Sequence, residues 1–299
     1  HPSVVAAMRG NVMGQADLVV TIGRKLDFQL AYGSPAVFGQ ARFLRIADNS
    51  AELRDNRRGE VELLASVPQT LQAICDAAVS MKPHADSEWL KGLRQQHLAR
   101  ADKLKLSMAQ AANGSDGLMH PNKVLAAVQD VLPQHAVVVA DGGDFLSFAR
   151  VGLQSDAYLD PGPLGCIGVG TPFGVAASLA CPERPVVVVT GDGAFGFNAM
   201  EIDTAVRHQA PVLIIVANNG SWAIEVRDQQ QNHGKVVGTQ LQFADHAAMA
   251  RAFGMPRWRG QGRVTSLPVC APQDTARRVR ADMRAGARRR LHDAAHQRC

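Results

Sequence analysis

The chain has 299 residues, 46% of them apolar and 20% charged, a composition that excludes a disordered chain and allows two packed domains. Its net charge of +5 invites a nucleic-acid reading, but residues 255–299 alone hold eleven Arg, no Lys and three Asp. The first 254 residues therefore sum to −3, with no basic stripe, and no apolar run is long enough to span a membrane.

Read in chain order, His1-Pro2-Ser3 has neither the basic start nor the apolar core of a signal peptide, and the missing initiator Met predicts a fragment or a processed chain. Strands are predicted at 16–23, 42–46 and 61–64, followed by a helix over 67–79. Residues 1–83 thus read as the later part of an α/β domain. Its turn Gly23-Arg24-Lys25-Leu26-Asp27 and the acidic Asp48 suit a nucleotide-binding half-domain, but no GxGxxG is present. Residues 84–115 form a polar helical connector, with Trp89, Leu90, Leu93, Leu98, Leu104 and Leu106 as packing positions, ending at the break Asn113-Gly114-Ser115-Asp116-Gly117.

A second α/β domain is predicted over 116–254. Pro121 opens a helix to Val131. The strand 136–140 runs into Asp141-Gly142-Gly143-Asp144, another helix lies around 174–179, and a last one covers 245–253. Two Pro-led, β-branched runs, 185–190 and 211–217, read as buried parallel strands around a helix at 199–208. The first run ends in Gly191-Asp192-Gly193 and the second in Asn218-Asn219-Gly220, with Asn219 27 residues after Asp192. This βαβ unit places a carboxylate and a carboxamide at the strand ends, the edge where open α/β sheets bind ligands. Asp192 and Asn219 are hard oxygen donors suited to Mg²⁺, which shares its shell with phosphate oxygens. Gly191, Gly193 and the helix start at Ala194 favour close approach of a diphosphate. Either tripeptide alone reads as a turn; the pair, each after a buried strand, reads as a site.

Gly191-Asp192-Gly193 and Asn218-Asn219 resemble, in residues and spacing, the cofactor signature of the thiamine diphosphate (ThDP) enzymes, and residues 16–27 resemble the central domain of their acetolactate synthase-like branch. The resemblance implies two three-layer α/β domains with mainly parallel sheets. It implies ThDP and Mg²⁺ as cofactors, with Asp192, the Asn219 side chain and the Ser221 carbonyl as metal ligands. In Gly165-Cys166-Ile167-Gly168-Val169-Gly170 it implies Ile167 as the apolar wedge that bends the cofactor and the Gly165 carbonyl as a partner of its aminopyrimidine. Without it, Ile167 reads as a core residue. Gly143 and Asp144 are diphosphate candidates by backbone N–H, or parts of a plain turn. Trp222 either lines a substrate pocket or packs on the sheet, and Glu225 either faces the substrate or is a solvated helix position. FAD or ADP occupies the central domain of some relatives, but no residue here carries over as a ligand.

The activating glutamate of the family belongs to an N-terminal pyrimidine domain, so no catalytic residue is assignable in this chain. The intact parent is expected to be a cytoplasmic homodimer or homotetramer that acts on a small-molecule 2-oxo acid or 2-hydroxyacyl compound as carboligase, lyase or decarboxylase. Benzaldehyde lyase and oxalyl-CoA decarboxylase-like activities, or a non-catalytic ThDP-binding remnant, are the alternatives. Nothing calls for nucleic acid or membrane. The cysteines, Cys75, Cys166, Cys181, Cys270 and Cys299, form no CxxC or disulfide framework, which fits a reducing compartment. Beyond Gly254 no family-like strand is expected; 255–299 reads as an Arg-rich tail, out of frame or disordered, with a weak helix at 277–290.

Overall fold

A computed structural model describes residues 3–5, 8–81, 87–114 and 119–254 together with the backbone of 263–268. The predicted helix at 277–290, the rest of the tail and Ser115–Gly117 of the predicted break lie outside the described residues. The chain forms two compact units, residues 1–103 and 104–299.

The first unit contains α1 (Arg9–Gln15), β1 (Leu18–Ile22), α2 (Pro35–Phe38), β2 (Arg42–Ala47), α3 (Ser50–Leu53), β3 (Val61–Leu64) and α4 (Val67–Met81). Its sheet is parallel in the order β1-β2-β3, with Val20 opposite Leu44 and Ile46 opposite Leu63. Leu26, Phe38, Ala41 and Phe43 pack as a core on one face. Beside them Arg45, 1% exposed, donates to both carboxylate oxygens of Asp55 and to the carbonyls of Glu52, Leu53 and Arg57. A charge so buried persists only because every donor direction is met.

Helix α5 (Ser87–Gln110) occupies the expected connector, and the division between the units falls inside it. Leu93 is buried and Leu104 packs on the core of the second unit. Trp89, Leu98 and Leu106, expected to pack, are instead 41%, 49% and 63% exposed. The helix has almost no amphipathic bias, so its leucines do not share one face.

The second unit runs α6 (Pro121–Gln129), β4 (Val137–Asp141), α7 (Asp144–Gly152), β5 (Ala157–Leu159), α8 (Gly170–Ala180), β6 (Val186–Gly191), α9 (Asp192–Phe197), α10 (Glu201–Arg207), β7 (Leu213–Asn218), α11 (Ala223–His233), α12 (His246–Ala252) and β8 (Arg263–Pro268). All five strands are parallel, in the order β5-β4-β6-β7-β8. Alternate residues feed two cores: Val138, Ala140, Val187, Val189 and Ile215 pack with α6 and α7, while Val137, Val139, Val186, Val188 and Ile214 pack with α8 and α10. The valine runs are continuous because both faces are covered; each fully buried valine contributes about 1.5–3 kcal/mol. The unit is therefore a three-layer α/β domain with a parallel sheet.

Strand β8 corrects the expectation that no strand follows Gly254. It pairs with β7 from Arg263 opposite Leu213 to Pro268 opposite Asn218. Edge pairing is made by backbone groups, so a strand forms there without the valine-rich signature of β6. The helix expected at 199–208 is α10, and a further short helix not expected from the sequence, α9, precedes it and starts directly at Asp192. Among the described residues no helix is long and apolar enough to cross a membrane.

Candidate functional site

The three central strands β4, β6 and β7 end side by side, and each leads within four residues or fewer into a helix: α7, α9 and α11. None of the three helix starts is capped by a hydrogen bond from its cap residue's side chain. Residues at the starts of all three helices line one cavity of about 310 Å³, an arrangement suited to an anion.

Asp192 is the first residue of α9 and only 6% exposed. Its Oδ2 is buried without a hydrogen-bond partner. Burial pushes its carboxyl above the usual range; N–H groups of Gly193, Asp192 itself and Gly220, and the neighbouring His246, act the other way. Burial correspondingly lowers the His246 imidazole, against the opposing charges of Asp192 and Asp245. The His246 ring meets Phe195 edge-on at 5.1 Å. Asn218 points away, its Nδ2 donating to the Ala244 carbonyl at 3.0 Å. Asn219 lines the cavity and accepts from the Ser221 N–H at 3.0 Å, which leaves a second lone pair on its Oδ1. Among the described residues no cluster of three His, Cys, Asp or Glu side chains assembles. The donor set at the cavity is one carboxylate, one carboxamide and nearby carbonyls, suited to a hard cation that also takes ligand oxygens.

Every residue proposed from the sequence except Gly165 lines this cavity: Gly143, Asp144, Ile167, Gly191, Asp192, Gly193, Ala194, Asn219, Ser221 and Trp222. Gly165 is exposed, with φ of 67°, at the end of a short 3-10 turn.

Residues 141–281 match the family model described as the thiamine pyrophosphate enzyme C-terminal TPP binding domain. The chain is 33% identical over 276 residues to a probable acetolactate synthase of Mycobacterium bovis, covering 90% of this chain and 47% of that protein. It is 30% identical over 261 residues to 2-hydroxyacyl-CoA lyase 2 of Caenorhabditis elegans, covering 85% and 40%, and 32% identical over 234 residues to 2-hydroxyacyl-CoA lyase 1 of Mus musculus, covering 73% and 39%. The chain belongs to the thiamine diphosphate enzyme family. It spans less than half the length of these relatives. The matched span begins at the end of β4 and extends beyond β8, so it includes all three strand ends that build the cavity of this ThDP-family domain.

Three further side chains shape the ThDP-family site and were not singled out from the sequence. Asp141, 1% exposed at the end of β4, accepts from the N–H groups of Gly142, Gly168 and Gly170. Burial raises its carboxyl, and those N–H groups oppose the rise. The signal was available: a carboxylate closing a fully buried apolar strand needs buried donors. His120 lines the cavity, caps α6 by accepting the Asn122 N–H on Nδ1 at 3.1 Å, and meets Phe148 edge-on. Its His-Pro sequence at a helix start was the visible cue. Arg227 grips Asp144 through two hydrogen bonds of 2.6 and 3.2 Å, a pairing 83 residues apart that no local pattern reveals. The Asp144 carboxylate is thereby neutralised, leaving backbone N–H groups to face an anion.

Trp222 packs on α9 and not on the sheet. It lines the cavity, and its indole covers Gly193 and meets Phe197 edge-on at 5.8 Å. Glu225 also lines the cavity from the first turn of α11.

Proposed function

We propose that this domain binds thiamine diphosphate through its diphosphate and a Mg²⁺ ion, as part of an acetolactate synthase-like enzyme acting on 2-oxo acids or 2-hydroxyacyl compounds. The observation that carries the reading is the unpartnered Asp192 Oδ2 at the meeting point of three uncapped helix starts. A buried carboxylate oxygen left without a donor is costly, and a cation beside it removes that cost. Asp192, the Asn219 side chain and the Ser221 carbonyl would hold the metal; N–H groups at Gly143, Asp144, Gly193 and Ala194 would face the diphosphate. Ile167 would support the rings of the cofactor from the cavity wall. When bound, the cofactor supplies the nucleophilic carbon and the electron sink. This chain's residues anchor one end of it, orient it and exclude water.

The relatives include acetolactate synthases and 2-hydroxyacyl-CoA lyases, and both names fit cleavage or formation of a bond beside a carbonyl. The somewhat higher identity and longer matched span favour the first. The family's homodimeric or homotetrameric assembly is proposed for the whole protein. The described cysteines Cys75, Cys166 and Cys181 are unbonded, in keeping with a reducing cytoplasm.

Calorimetry with ThDP, with and without Mg²⁺, tests the cofactor reading. Saturable, Mg²⁺-dependent binding that Asp192→Ala abolishes is the expected result. Unchanged binding by Asp192→Ala removes the metal assignment.

A further inference from the structure

The segment that carries Ile167 into the cavity is held by two side chains from different elements. The N–H of Gly168, in the peptide bond that directly follows Ile167, donates to both oxygens of Asp141, at 3.2 and 3.0 Å. The N–H of Gly170 donates to Asp141 Oδ2 at 2.8 Å. The carbonyl of Gly168 accepts from Asn198 Nδ2 at 2.9 Å. Both peptide planes of Gly168 are thus fixed, one by the end of β4 and the other by the residue that ends α9. Gly168 itself has φ of 97°, and a Cβ there would come within 2.7 Å of the Phe197 Cβ, so the backbone is pressed against α9 as well.

These contacts exceed what a loop needs to close. Gly168 and Gly170 lie 27 and 29 residues from Asp141, and the Asn198 contact spans 30 residues. The same helix α9 carries Asp192 at its other end. The position of Ile167 is therefore tied to the metal-binding end of the cavity through α9 and to the β4–α7 turn through Asp141. Three N–H groups converging on one carboxylate, Gly142 included, are charge-assisted and resist displacement.

Resting on the ThDP reading above, we infer that Asp141 and Asn198 are positioning residues that set how far Ile167 projects into the cavity, and so govern the fit of the ring portion of the cofactor but not of its diphosphate. Neither side chain is assigned contact with the ligand. A purely structural role predicts equal weakening of every ligand of the cavity; a positioning role predicts weakening only of ligands that reach Ile167.

Calorimetry with Mg²⁺-ThDP and Mg²⁺-pyrophosphate separates the two, using the full chain and the variants Asp141→Asn and Asn198→Ala. Asp141→Asn keeps the shape but turns an acceptor into a donor facing the Gly170 N–H; Asn198→Ala removes the second hold at an exposed residue and so guards against failure of the buried variant to fold. Loss of one hydrogen bond of this kind predicts roughly tenfold weaker ThDP binding, with pyrophosphate binding essentially unchanged. Amide exchange, measured without ligand, is expected to accelerate at Gly168 and Gly170 and to stay the same at Gly193 and Ser221. Equal loss for both ligands, unaltered ThDP affinity, or unaltered exchange at Gly168 overturns the positioning role. A wild-type chain that binds neither ligand overturns the ThDP reading and the cofactor part of the inference with it, and exchange at Gly168 then decides whether the clamp itself exists.

Discussion

The indole of Trp222 lies over Gly193 so closely that a Cβ on Gly193 would come within 2.8 Å of the ring. The glycine of the Gly-Asp-Gly turn is therefore required by a side chain 29 residues away, as well as by any ligand. Gly193→Ala must displace the ring or the start of α9. Overpacking of this kind costs about 1–3 kcal/mol, to be seen as a lower thermal midpoint, and ThDP affinity should fall with it. Trp222→Ala combined with Gly193→Ala should recover most of the stability lost through the clash.

Asp192→Asn separates binding from stability. In the ligand-free chain the carboxylate is buried with one oxygen unpartnered, so neutralising it should leave stability unchanged or raise it by up to ~1 kcal/mol. The same change should remove the stabilisation that Mg²⁺ and ThDP give together. Thermal melts of both proteins with and without the two ligands provide the comparison; a large loss of ligand-free stability would contradict it.

The Arg227–Asp144 pair joins the second turn of α11 to the first residue of α7, and Asp144 lines the cavity. Because Arg227 is more than half exposed, Arg227→Ala should cost no more than about 1 kcal/mol of stability. It exposes the Asp144 carboxylate to the diphosphate, so ThDP affinity should fall several-fold, more at low salt. Adding Asp144→Asn to that variant should restore much of the affinity, which calorimetry at two ionic strengths will show.

In the first unit, burial raises the Asp55 carboxyl, but the Arg45 hydrogen bond, the Leu26 N–H and the Arg45 charge outweigh it and hold the group below its ordinary 3.8. A pKa lowered by folding stabilises above the unfolded value and is lost as pH falls through the folded value. Stability of this unit should therefore be flat near neutral pH and decline below about pH 4. Asp55→Asn strands a buried guanidinium and should cost about 3 kcal/mol near neutrality while flattening the acid decline. Urea denaturation across pH, read by amide exchange in β2, tests both parts.

By itself the sequence determined the parallel α/β plan of the second unit and the chemistry of its strand ends. Runs such as Val186–Val189 are continuous because both sheet faces are covered, and that pattern is local. Asp192 and Asn219 were legible because each directly follows such a run. The tertiary structure decided what lies between distant segments. It alone shows Asp141 holding Gly168, Arg227 holding Asp144 and Trp222 covering Gly193, since hydrogen bonds and ring contacts between distant segments depend on how loops and helices pack at the strand ends and not on spacing along the chain. It also decided the α5 leucines, where a helix without a dominant apolar face leaves burial to its surroundings, and strand β8, whose pairing rests on backbone groups and not on a side-chain pattern.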